Sequence, residues 1–238
     1  MSKLFTFGCS YTEEYETSEI TTYREYKKYR GGTYPKTWAK LLSEKLNLEL
    51  VNYGMGGSGN MEIFQTFCNK FQEINENDTV IIEWSFINRF RWADSRGNQN
   101  TWKKMGPGIE IYDIISEITH TEICVNRGNP LYVEEIYGFM KVIDEISKFK
   151  KFSLYYWSAD NNIIYSLPEK ERADKKYLMG NLIKTEGTPF VVINSMGGMV
   201  IKDETNNEVI DFHNGQKSHI IQANLFYDHI MFYKTNLI

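Results

Sequence analysis

Thr79-Val80-Ile81-Ile82-Glu83-Trp84 is a six-residue run of β-branched and aromatic residues carrying a single charge. A run this apolar reads as a strand covered on both faces, which is the condition of a parallel sheet flanked by helices. Working outward, residues 3–7 and 48–53 predict two earlier strands, each closed by glycine. Between them residues 36–46 predict a helix with Pro35 in its first turn and Trp38, Leu41, Leu42 and Leu46 on one face. Residues 60–75 predict a second helix, in which Met61, Phe64, Phe67, Cys68, Phe71 and Ile74 recur every three to four positions. Downstream, residues 131–147 and 216–230 predict helices, and 152–157 and 189–194 predict strands. Such alternation predicts an α/β fold, a single three-layer α/β/α sandwich of flavodoxin-like type with a mainly parallel sheet. No repeat, low-complexity tract or linker interrupts residues 1–238, so one domain is expected, with residues 89–129 as an elaboration on it.

The composition narrows the function classes. With 238 residues, 42% of them hydrophobic, the chain can bury a sizeable core without disulfide or metal staples. Its 27 basic and 31 acidic residues leave a net charge of −4, which gives no electrostatic reason to expect nucleic acid or an anionic membrane surface as partner. No stretch approaches the ~20 apolar residues of a membrane span. The apolar start at residues 4–7 is too short for a signal-peptide core, so a cytoplasmic protein is expected. Cys9, Cys68 and Cys124 are odd in number and widely spaced, which fits neither a disulfide framework nor a zinc motif. No cofactor is implied, and nothing sets an oligomeric state.

In open parallel sheets ligands bind at the carboxyl ends of the strands. Gly8-Cys9-Ser10-Tyr11-Thr12 follows the first predicted strand, and Gly54-Met55-Gly56-Gly57-Ser58-Gly59 follows the second. Ser85-Phe86-Ile87-Asn88-Arg89 follows the third, and Asp211-Phe212-His213 precedes the last helix. A serine, a glycine turn, an asparagine and an Asp/His pair are thus expected at one edge.

In this order the four segments resemble the blocks of the SGNH (GDSL-type) hydrolase family, over roughly residues 3–92 and 208–230. Phe7-Gly8-Cys9-Ser10 resembles the first block, Asn52 to Gly57 the second, Asn88 the third and His213 the last. His213-Asn214-Gly215-Gln216-Lys217-Ser218-His219 keeps the family's spacing to a second histidine. Cys9 stands where the family has aspartate, and Ile210 stands three residues before His213, where its acid commonly lies; Asp211 is the nearest carboxylate. The resemblance implies a serine hydrolase of small acyl esters, with O-acetyl groups on a carbohydrate as the substrate class. In that chemistry Ser10 attacks, His213 moves the proton and Asp211 orients the imidazole. The oxyanion hole would be the N–H groups of Ser10 and Gly57 with the Asn88 amide.

Two other readings compete. Gly54, Gly56 and Gly59 spell Gly-x-Gly-x-x-Gly between a predicted strand and helix, with Glu83 near the end of the next strand, as a dinucleotide site would require. It leaves Ser10, Asn88 and His213 unexplained. The displaced acid also allows a catalytically degenerate domain that binds an acylated sugar or a protein. A metal site at Asp211, His213 and His219 lacks any recognised ligand spacing. Aromatic residues, 15% of the chain, gather beside the proposed site: Tyr11, Tyr15, Tyr23, Tyr26, Tyr29 and Tyr34 in one segment, Trp84, Phe86, Phe90, Trp92 and Trp102 in another. These segments are expected to contact substrate, with Tyr11, Trp84, Arg89 and Trp92 foremost, or else to form a satellite apolar cluster.

Overall fold

The computed structural model describes residues 2–15, 34, 36–86, 90–93, 102–105, 129–158, 163, 198–202, 208–214 and 216–235. At 90–93, 102–105, 129–131, 198–202, 208–214, 217–218 and 233–235 this covers the backbone alone. Its elements are β1 (Lys3–Gly8), α1 (Trp38–Leu46), β2 (Glu49–Gly54), α2 (Asn60–Lys70), β3 (Thr79–Trp84), β4 (Phe90–Ala93), β5 (Trp102–Met105), α3 (Asn129–Lys150), β6 (Ser153–Ser158), β7 (Gly198–Lys202), β8 (Glu208–Asn214) and α4 (Gln216–Thr235).

Four strands form one parallel sheet in the order β2-β1-β3-β6. That is the start of the flavodoxin-like order, in which the chain first moves to one side of β1 and then to the other. The strand predicted at 189–194 lies outside the described residues. The alternation of side chains along each strand builds two cores. Phe5, Phe7, Val80, Ile82, Trp84 and Tyr156 face one side and pack under α2 and α3 through Ile63, Phe67, Ile136, Met140 and Ile143. Leu4, Ile81, Tyr155 and Trp157 face the other and pack under α1 and α4 through Trp38, Leu42, Ala223, Phe226 and Ile230. The architecture is therefore α/β with helices on both faces of the sheet, as the run at 79–84 predicts. No described helix is long and apolar enough to cross a membrane.

Local chemistry sets the element ends. α1 begins at Trp38, two residues later than expected, because the Thr37 side chain caps it by accepting from Lys40 N–H. It ends at Asn47, whose φ of 53° is the left-handed stop that asparagine tolerates. α2 stops at Lys70 and gives way to one tight turn over Phe71–Glu73, shorter than the apolar periodicity suggested. Met61, placed on its core face by spacing, is exposed. The 89–129 elaboration contains an antiparallel β4–β5 pair, and β7 and β8 form a second such pair.

Candidate active site

Ser10 sits in a helical turn at the carboxyl end of β1, where the Cys9 carbonyl accepts from Thr12 N–H at 2.9 Å and Glu13 N–H at 3.1 Å. β1 lies between β2 and β3, so this turn occupies the point where the strand order reverses. Ser10 is itself buried, at 4% exposure.

The glycine loop is joined to that turn in two ways. Met55 N–H donates to the Gly8 carbonyl at 3.0 Å, carrying the β1–β2 ladder past its last pair, Gly8 with Gly54. Asn52 donates from Nδ2 to the Thr12 carbonyl at 2.6 Å and to Glu14 Oε1 at 3.1 Å, while its Oδ1 accepts from Gly54 N–H at 2.7 Å. Gly57, the residue expected to supply an oxyanion donor, has φ of 72°, a left-handed conformation that glycine adopts without a Cβ penalty.

Asn60 joins the same loop to the end of β3. Its Oδ1 accepts from Ser85 N–H at 2.7 Å, and its Nδ2 donates to the carbonyls of Ser85 at 3.2 Å and Phe86 at 3.4 Å. This buried amide stands in for a neighbouring strand, pairing the backbone just as β3 leaves the sheet. Asn60→Ala would leave the buried Ser85 N–H without this acceptor, at a cost of about 2 kcal/mol. A fall of about 4–8 °C in Tm is expected, read by scanning calorimetry; an unchanged Tm would mean the clamp carries no weight.

Beneath the Ser10 turn lies Glu83, fully buried. Its carboxylate accepts from Cys9 N–H at 3.1 Å, from the Cys9 thiol at 3.0 Å and from the Thr12 hydroxyl. Cys9 is thus a buried thiol whose proton faces a carboxylate, a structural rather than nucleophilic setting. Burial pushes the Cys68 thiol up, so that sulfur stays protonated. Cys124 lies outside the described residues.

Several expectations need correction. Trp84 is not a substrate contact: it is fully buried and stacks on Phe139 and Tyr156 at ring separations of 6.4 and 6.2 Å. Its even register with Val80 and Ile82 aims it into the core between α2, α3 and the sheet. Tyr11 is 6% exposed, packs edge-on against Phe86 and belongs to the opposite core. Tyr15 is buried too, so these two rings fill core next to the site rather than line a wet wall, while Tyr34 is half-buried. Trp92 lies in β4, where only backbone is described, and Asn88, Arg89, Tyr23, Tyr26 and Tyr29 lie outside the described residues.

Asp211 and His213 share β8, two residues apart, so they belong to the antiparallel β7–β8 pair and not to a strand end of the four-stranded sheet. Their side chains are outside the description. The chain just after them is clamped to the segment leading into α1: Gln216 accepts from Lys36 N–H at 2.8 Å and donates to the Lys36 carbonyl at 3.3 Å. Three residues span at most about 11 Å, so His213 lies within that reach of Gln216. His219, fully buried, accepts from Trp38 N–H at 3.1 Å through Nδ1. The proton therefore sits on Nε2, which donates to the Tyr15 hydroxyl at 2.6 Å. This ring caps α1 and ties α4 to the segment five residues beyond Ser10, and is committed there rather than to a metal. Among the described residues no group of three His, Cys, Asp or Glu side chains could hold a metal ion.

No family model matches the chain, and no curated protein matches it. A solved structure from Desulfitobacterium hafniense DCB-2, described as a lipolytic protein of the G-D-S-L family, is similar at 11% identity over 96% of this chain and 99% of that one, with a TM-score of 0.45. So distant a likeness assigns no activity, and the fold stands on the strand order and the two cores.

The dinucleotide arrangement loses its supports in this geometry. Its glycine loop follows the edge strand β2 and not β1, the strand at the order reversal. The acid it would use, Glu83, is buried against Cys9 and Thr12. At the start of α2 the Gly59 N–H is already taken by Glu62 Oε2 at 3.1 Å, which puts a carboxylate where a pyrophosphate would bind. In the sequence Asn60 carries no role, and Glu83, Asn52 and His219 carry only those of dinucleotide acid, second-block residue and metal candidate, none of which is the hydrogen-bonding part each plays here. The signal available for each was only a polar residue beside a strand end or helix start.

Proposed function

We infer that the chain is a serine hydrolase of SGNH type that cleaves small acyl esters, with O-acetyl groups on a carbohydrate as the substrate class. The observation that carries this reading is the placement of Ser10. It occupies the carboxyl end of β1 at the strand-order reversal, beside a glycine loop whose Gly57 has a positive φ. In this reading Ser10 Oγ attacks the acyl carbon, and His213 accepts its proton and returns it to the leaving alcohol. Asp211 holds the imidazole tautomer. The Ser10 and Gly57 N–H groups with the Asn88 amide receive the oxyanion, each donor contributing about 3–4 kcal/mol in the transition state. The roles of Asp211, His213 and Asn88 rest on the motif resemblance, as do those of Arg89 and Trp92 as substrate contacts. The recessed position of Ser10, 4% exposed, favours a small acyl group over a long chain.

A fluorophosphonate probe tests the assignment. It is expected to label Ser10 stoichiometrically, as mapped by peptide mass spectrometry. Labelling at another residue, or none, would overturn it; absence of labelling with retained binding of an acetylated sugar would instead support the degenerate binding domain.

A further inference from the structure

We propose that Glu83 is a positioning residue for catalysis, one that sets where Ser10 stands; this deepens the hydrolase reading and rests on it. Glu83 is the penultimate residue of β3, next to β1 in the sheet, and is fully buried. A carboxylate taken out of water brings little net stability even when well paired, and an apolar residue of the same size often does as well. Its presence here therefore asks for a reason other than packing.

The contacts supply one. Oε2 accepts both the Cys9 N–H, at 3.1 Å, and the Thr12 hydroxyl, and Oε1 accepts the Cys9 thiol at 3.0 Å. These donors come from the residue before Ser10 and from the residue two after it. Because the Cys9 carbonyl is held in turn by Thr12 and Glu13 N–H, residue 9 is gripped on both its amide and its carbonyl. The backbone of residues 9–12 then has little freedom, and the direction of the Ser10 side chain follows from that backbone. Gly8 completes the arrangement: a Cβ there would stand 2.3 Å from Glu83 Oε2, so the carboxylate occupies the space a side chain would fill. Glu83 also continues directly into Trp84-Ser85, the backbone that Asn60 fixes from the glycine loop. One carboxylate thus registers the nucleophile turn against the strand end that leads to Asn88. Reacting groups must be held to about 0.5 Å, and a displacement of about 1 Å can cost about 100-fold in rate.

Glu83→Met and Glu83→Gln separate positioning from packing. Methionine fills the space without accepting a hydrogen bond. Glutamine can keep its oxygen toward Cys9 N–H and Thr12 and turn its amide toward the Cys9 sulfur. With p-nitrophenyl acetate, Glu83→Met is expected to lose about 100-fold in kcat with KM little changed, and to label with fluorophosphonate correspondingly slowly. Glu83→Gln is expected to recover to within about tenfold of wild type. Melting curves and circular dichroism establish that each variant is folded. A folded Glu83→Met with wild-type kcat and labelling rate would overturn the proposal, as would a loss in Glu83→Gln equal to that in Glu83→Met. Should Glu83→Met not fold, Thr12→Val carries the test: about tenfold lower kcat is expected, and an unchanged kcat would overturn the proposal. Failure of the hydrolase reading is read separately, in the wild-type protein, as absence of labelling at Ser10; that result would overturn both.

Discussion

Ser10→Ala is expected to bring hydrolysis of p-nitrophenyl acetate to the uncatalysed background or within about 10³-fold of it, with kcat falling by at least about 10⁴-fold. Without Oγ no acyl-enzyme can form, and the proton relay has nothing to activate. What survives is water attack assisted by the oxyanion donors, so KM should change far less than kcat. The substitution removes one small hydroxyl and leaves the turn bonds from Thr12 and Glu13 to the Cys9 carbonyl in place. The Tm should therefore shift by only a few degrees, since a single hydrogen bond contributes about 1 kcal/mol. Steady-state kinetics and calorimetry on the same preparation check both halves. A variant keeping more than a tenth of the wild-type rate would mean that another group is the nucleophile.

The largest effect on stability is expected at Gly54, the last residue of β2. A Cβ there would stand 2.6 Å from Glu13 N and 2.7 Å from the Thr12 carbonyl carbon. Both are backbone atoms, so no side chain can swing aside. Either β2 must part from β1 at the Gly8–Gly54 pair, or the turn carrying Ser10 must move. Overpacking of this kind costs about 3 kcal/mol, which for a chain of this size is about 6–12 °C in Tm. Gly54→Ala should also lower kcat in the folded fraction, because the atoms it strikes belong to the nucleophile turn. Thermal melts with parallel fluorophosphonate labelling would show both losses; a variant with wild-type Tm would mean that the loop and turn are not packed as described. Gly138, in α3, is the natural contrast, because nothing lies within 4 Å of a Cβ built there.

Much of the fold is legible in the chain because burial leaves a local signature. The apolar run at 79–84 demands cover on both faces, and alternate residues of it do enter the two cores: Val80, Ile82 and Trp84 one, Ile81 the other. The apolar repeat through Phe64 and Phe67 marks α2, and Thr37 and Asn47 carry the chemistry that bounds α1. The Ser10 turn and the glycine loop announce themselves as small residues directly after strands. At other positions one local signal serves two outcomes. Trp84 beside a strand end reads equally as a binding ring or a core ring, and its face depends on the register of β3 against β1 and β6. Met61 fits the helical spacing and is nevertheless exposed, because the buried face of α2 runs through Ile63 and Phe67 instead.

The partners of the buried polar groups were not legible. Periodicity, caps and turn residues act over a few positions, so the chain could announce its strands, its helices and the serine that ends its first strand. Glu83 meets Cys9 and Thr12 across more than 70 residues of chain, His219 meets Tyr15 across 204, and Asn60 meets Ser85 across 25. Each of those meetings follows from the order in which strands pair. A hydrogen bond depends on distance and direction in space, and separation along the chain carries neither.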